Sequence, residues 1–342
     1  MAIGRSLALL LSLSLSSAAV SSAQEPPPRP FLRKVIGLTD AQLAAIDKGD
    51  VVTRLLPSPD KPEIAAFGVV RITGTPATLQ QKLADFPSFR KVPQIPEIGH
   101  FSDPPRLEDL KGLTWPEADV EALKRCKVGS CDVKLGTASL ERLTKEVDWR
   151  APDALARVTA LVKDQMVAYA KAYRTGGTDA MASTVDKNQP KAYADEFRTL
   201  LRNSPYLPEY VPAFHQYLAA YPKGSLPNTT DTLFWTKDEF GLKPVVSIYH
   251  ATVHQVDVQG RPGLLVAIKT LYASHFFNAG LEIMAAVPTQ DGTGFYLLDL
   301  YRTRIDPPTG MLSGVLMGKV KSGVEKGVGM NLTTAKARVE GK

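Results

Sequence analysis

The chain is short of the features that usually announce an activity. It has two cysteines and five histidines among 342 residues. So few rule out a disulfide-dense scaffold and leave little for a zinc site. A c-type haem site needs a histidine directly after the second cysteine, and Asp132 stands there. There is no Gly-x-Ser-x-Gly elbow, no phosphate loop and no His-Glu-x-x-His. No stretch reaches the roughly 18–20 apolar residues that cross a bilayer, so no transmembrane span is expected. A concentrated basic face is also missing. The net charge is +6, and Lys and Arg alternate with Asp and Glu along most of the chain. The exception is the tail, where Lys319, Lys321, Lys326, Lys336, Arg338 and Lys342 outnumber Glu325 and Glu340. No nucleic-acid partner is expected from this pattern. Nor is there an internal repeat.

What is present starts at the N-terminus. Residues 1–23 have the parts of a secretory signal: Arg5, an apolar Leu7–Leu15 run, and small residues Ser21-Ser22-Ala23 before the cut. The protein is therefore expected to be exported, to a periplasm or the extracellular space. Residues 24–38 open as Gln-Glu-Pro-Pro-Pro-Arg-Pro and read as an extended leader. In an oxidising compartment Cys126 and Cys131 read as one disulfide around the Gly129 turn. A redox-active pair or free thiols are the alternatives.

Residues 39–342 read as one α+β domain. Thr39 and Gln42 have capping-box spacing before a short helix. Val51–Leu56 and Ile64–Thr73 read as strands, and Ala77–Phe86 as a helix after Thr75-Pro76. The proline-rich segment 87–112 reads as a surface loop. Thr114 and Glu117 suggest a second capping box. Helices then fit 137–147, 153–173, 191–202 and 212–221, so about 105–240 is a helical insertion. Four strands follow, Val245–Val256, Leu264–Phe277, Leu281–Val287 and Phe295–Ile305. Their short connections imply antiparallel neighbours. Ser313–Glu340 carries Leu316, Val320, Val324, Val328 and Leu332 every four residues, the stripe of a long amphipathic helix.

The stretches GVVRITGTPATLQQKLADF, HATVHQV, LYASHFFNAGLEIMAAV and GFYLLDLYRTRID, with the final helix, resemble the helix-grip fold of START-like lipid-transfer proteins and polyketide cyclases. The resemblance covers about half the chain and rests on element order. It implies a curved antiparallel sheet gripping the C-terminal helix, with a hydrophobic ligand in the cavity between them. The Cys-x4-Cys turn and Tyr272-Ala-Ser-His275 also resemble a group of bacterial exported proteins; that resemblance implies no activity.

Candidate ligand contacts are Tyr249, His250, Tyr272, His275, Glu282, Arg302 and Val324. His250 and His254 invite a metal reading. On a strand they stand ~13 Å apart, too far to share one ion, so no metal and no cofactor are expected. His275, Glu282 and Arg302, with Arg304, could instead face one cavity and bind a polar head group or do acid–base work. Three functions follow: an exported binder of a lipid or other hydrophobic molecule, an enzyme using His275 with Glu282, or a scaffold that presents the helical insertion.

Overall fold

The computed structural model describes residues 25–239, 241 and 243–341. The export segment read at 1–23 lies outside them. The leader read as extended is partly helical: α1 (Arg29–Lys34) has a proline in its first turn. Proline's fixed φ suits that position, where its missing N–H costs nothing. Leu32, Ile36 and Leu38 are buried behind it, so apolar anchors pull the segment into the core. In α2 (Asp40–Asp47) both arms of the Thr39–Gln42 capping box form.

Strands β1 (Val52–Leu56) and β2 (Glu63–Thr73) pair next. Helix α3 (Pro76–Leu83) is capped by Thr75, and α4 (Phe86–Arg90) by Asp85. The stretch 87–112 is not all loop, because β3 (Glu97–His100) joins the sheet. The helical block holds α5 (Glu117–Leu123), α6 (Thr137–Glu146) and α7 (Ala154–Gly176). A two-residue pair follows, β4 (Ser183–Thr184) with β5 (Lys191–Ala192). Then come α8 (Tyr193–Arg202), α9 (Tyr206–Tyr210) and α10 (Pro212–Ala220). Thr114 does not cap α5, whose N-cap is Pro116. Its N–H donates to Glu97 instead, at 2.6 Å. Its hydroxyl oxygen, which would have to accept from the helix N–H groups, accepts from Lys237 Nζ instead, at 2.7 Å.

The chain then returns to the sheet with β6 (Thr229–Asp238), inside the span read as helical. Its run of Thr, Leu, Phe and Trp suits a half-buried strand. After it come β7 (Val245–Val258), β8 (Arg261–Ala273), β9 (Phe277–Pro288), β10 (Gly294–Ile305) and α11 (Ser313–Glu340). The eight-stranded sheet runs β1-β2-β10-β9-β8-β7-β6-β3, antiparallel throughout.

Side-chain alternation gives the sheet two buried faces. One carries Ala66, Val70, Leu264, Val266, Met284 and Leu297, and meets Val328, Leu332, Ala335 and Val339 of α11. There α11 lies directly on β2: a Cβ at Gly68 would stand 2.6 Å from both Leu332 and Val328. Only glycine allows that approach. The other face carries Phe67, Val69, Leu265, Ala267, Ile283 and Leu298 and is covered by the helical block. A bulge opposite Ile248–Tyr249 shifts the phase of β8, so Leu271 and Tyr272 both join this second core.

Candidate functional site

The seven residues expected to gather around one ligand are divided between the two faces. Tyr249, Glu282 and Val324 lie on the α11 side. Tyr249 stacks on Phe234 with ring centroids 4.9 Å apart. Val324 packs at the edge of the α11 core. Glu282 is 4% exposed and accepts from both terminal guanidinium nitrogens of Arg90, at 3.0 and 3.2 Å. His250, Tyr272 and Arg302 face the block. Arg302 donates to Glu63, and Tyr272 donates its hydroxyl to Lys134 O at 2.9 Å. His275 lies just beyond β8, its Nε2 2.9 Å from Asp119 of α5. The expected grouping of His275 with Glu282 and Arg302 does not form. One residue of register decides the face of a strand, and Glu282 points opposite to its neighbours Leu281 and Ile283.

The α11 seam itself is closely filled. A cavity there, lined in part by Arg90, Met284, Asp299, Asn331 and Leu332, measures about 20 Å³. That is room for about one water molecule. Asp299 is fully buried, and neither of its oxygens has a hydrogen-bond partner. Burial first, and then the nearby Glu282 charge, push its carboxyl well above the usual range, while Arg90 opposes. Asp238, beside Thr236 and Tyr249, is pushed up to about 6 by burial.

The block side holds a chain of buried titratable groups in which His250 is a candidate from sequence and its partners are not. Asp231 of β6 meets His250 Nε2 at 2.7 Å, and His250 Nδ1 lies 2.9 Å from the Tyr173 hydroxyl of α7. Lys269 of β8 donates to Tyr173 at 3.2 Å and to Thr178 at 2.7 Å. Its ammonium sits 3.7 Å from the centre of the Phe197 ring. Burial lowers the pKa of both Lys269 and His250, and Asp231 works against that shift at His250. The signal was legible: Lys269 is the one charge inside the apolar run LLVAIKTLYA, as Asp299 is inside FYLLDLY. On β7, His254 has separate partners, Thr229 and the Phe214 ring. Among the described residues, no group of three or more His, Cys, Asp and Glu is placed to hold a metal ion.

Beside this relay, between α6, α7 and the sheet, lies a half-enclosed chamber of about 390 Å³. Leu135, Val162, Met166, Ile248 and Tyr272 form its apolar walls. Gln165 and Thr184 also line it, and both amide atoms of Gln165 and the Thr184 hydroxyl are buried without a hydrogen-bond partner. Buried polar groups in a folded protein are rarely left so. The expected disulfide forms, Cys126 to Cys131, with Gly129 at φ +83° in its turn. This turn braces the chamber: Gly129 N–H donates to Val185 O at 2.7 Å and Cys131 N–H to Asp186 O at 3.0 Å, next to Thr184. A more open groove of about 680 Å³ runs between α5 and α7, past Trp115 and Lys163. Comparison of the chain with known protein families and with curated proteins finds no match.

Proposed function

We propose that this chain is an exported binding protein for a hydrophobic or amphipathic small molecule, built on a helix-grip frame. The continuous antiparallel sheet with a long last helix packed on it supports the frame. The disulfide and the leader sequence support export. The ligand's place is the chamber under the helical block rather than the seam with α11. One observation carries this: about 390 Å³ of mostly apolar space sits beside unsatisfied Gln165 and Thr184, while the seam cavity holds about 20 Å³. A volume of that order with a few convergent polar groups is what small-molecule sites use. A half-enclosed volume of that order favours a ligand with a single chain over a bulky lipid. An enzyme built on His275 and Glu282 has less support, because each is held by a different partner, Asp119 and Arg90.

The test is native mass spectrometry of the protein made with its own leader, before and after solvent extraction. A stoichiometric apolar molecule is expected. Ala138→Trp at the exposed rim should block its uptake while leaving the unfolding midpoint unchanged. A ligand that still binds this variant fully would place the site elsewhere.

A further inference from the structure

The ends of the chamber differ in chemistry, and the difference names the ligand class; the argument rests on the chamber being the binding site. Five consecutive residues, Leu135 to Ser139, line one end, and they contain the N-terminus of α6. The N-cap there is Gly136, which has no side chain to cap the helix, and no acidic residue lies in the first turn. Ser139 and Leu140 N–H both turn back to Gly136 O. Among the described residues, the Thr137 and Ala138 N–H groups reach no acceptor. The end of a helix left in this state carries partial positive charge and free donors. A second observation is independent of the helix. Thr184 is 1% exposed; its hydroxyl lies near the Tyr193 phenol but has no partner in good hydrogen-bond geometry, and the phenol donates to Ala273 O at 3.5 Å. The Gln165 amide is likewise unsatisfied.

None of the side chains lining the chamber is charged. An ammonium ligand would meet a helix end of its own sign and no carboxylate. A phosphate dianion would find no Lys or Arg to balance it. A single carboxylate matches: it accepts from two backbone N–H groups and from Gln165, with an aliphatic tail against Val162, Met166 and Ile248. We infer that the chamber takes an aliphatic monocarboxylate, its head group on the α6 N-terminus and its tail between α7 and the sheet.

The experiment compares sodium octanoate with octanol by titration calorimetry on the full chain. The two probes share a tail and differ in the head. Octanoate is expected to bind about tenfold more tightly, since hydrogen bonds to an ionised group are about twice as strong as neutral ones. Thr137→Pro deletes one donor at the first helical position, where proline is well tolerated. It should weaken octanoate about tenfold and leave octanol unchanged. Gln165→Leu should act in the same direction, and it keeps the test open if the proline variant loses helix content by circular dichroism. Octanol binding as well as octanoate, with neither variant separating them, overturns the carboxylate assignment and leaves the chamber standing. Binding of neither probe overturns both.

Discussion

Against α11 the sheet buries three carboxyls, Glu282, Asp299 and Asp238, with one guanidinium, Arg90. Against the helical block it buries an ammonium, Lys269, that hydrogen-bonds to hydroxyls alone, and an imidazole, His250, joined to Asp231. Burial penalises the charged form on both faces, so Asp299 and Asp238 on one side are pushed up and Lys269 and His250 on the other are pushed down. The α11 side is closely packed, and burial there disfavours the charged forms of Asp299 and Asp238. The block side leaves space, and burial there disfavours the charged forms of Lys269 and His250. A buried charge therefore marks neither face as the binding site; unfilled volume beside unsatisfied neutral groups is what separates them.

Breaking the α11 side alone should have the largest effect. Arg90→Met strands Glu282 beside Asp299 and should cost about 3–5 kcal/mol at pH 7 by urea titration. The cost should shrink toward pH 4 as the carboxyls take up protons. A constant cost across that range would mean that packing, not charge, is what Arg90 supplies. Gly68→Ala acts on the same seam without touching charge. Its methyl would press on Leu332 and Val328, for a loss of up to about 3 kcal/mol, independent of pH. On the block side, replacing Cys126 and Cys131 by serine should cost about 2 kcal/mol. Ligand affinity should fall with it, because the turn braces the wall that carries Thr184. The two seam variants, where folded, should bind as the parent does.

The smallest effect sharpens the contrast most. An unfolded aspartate titrates near ~3.9, and folded Asp238 near about 6. Between these values the folded state holds the extra proton, so stability from this group falls as pH rises. Asp299 acts in the same direction. For His250 the sign reverses. Below ~6.5 the unfolded chain takes up a proton that the folded one resists, so stability falls as pH falls. Asp299→Asn should remove part of the loss on raising pH, and His250→Gln part of the loss on lowering it. If both variants tilt the pH–stability curve the same way, the opposition between the faces is wrong.

Element order was largely legible because periodicity reports burial. The Thr39–Gln42 box caps α2, and three of the four strands read between Val245 and Ile305 and the Leu316–Leu332 stripe fall within observed elements; the fourth, Leu264–Phe277, overruns the end of β8 at Ala273 into the turn before β9, where Phe276 takes φ +60°. The errors have particular causes. The prolines before Phe31 hid a short helix that proline itself starts. Glu97 and Lys237 hold the Thr114 hydroxyl that would have capped α5. In β6, the polar ends Thr229–Thr232 masked the apolar centre Leu233–Trp235. The site was less legible. Tyr272 does line the chamber, but the bulge at Leu271 that turns it there leaves no local mark. Gln165 and Thr184 are ordinary residues in sequence; only their lack of partners distinguishes them, and that is a property of the fold.

The pairing of β2 with β10 has a consequence for how the chain is made. Ile64 meets Thr303, and Gly294 meets Thr73, so the second strand of the sheet waits for the last one. Contacts this distant in sequence form slowly. Until Gly294–Ile305 has left the ribosome, β2 and β9 each have an open edge and the Gly68 surface has no α11 to cover it. Such edges invite pairing with other chains. The sheet therefore stays open between β2 and β9 until its last strand is in place.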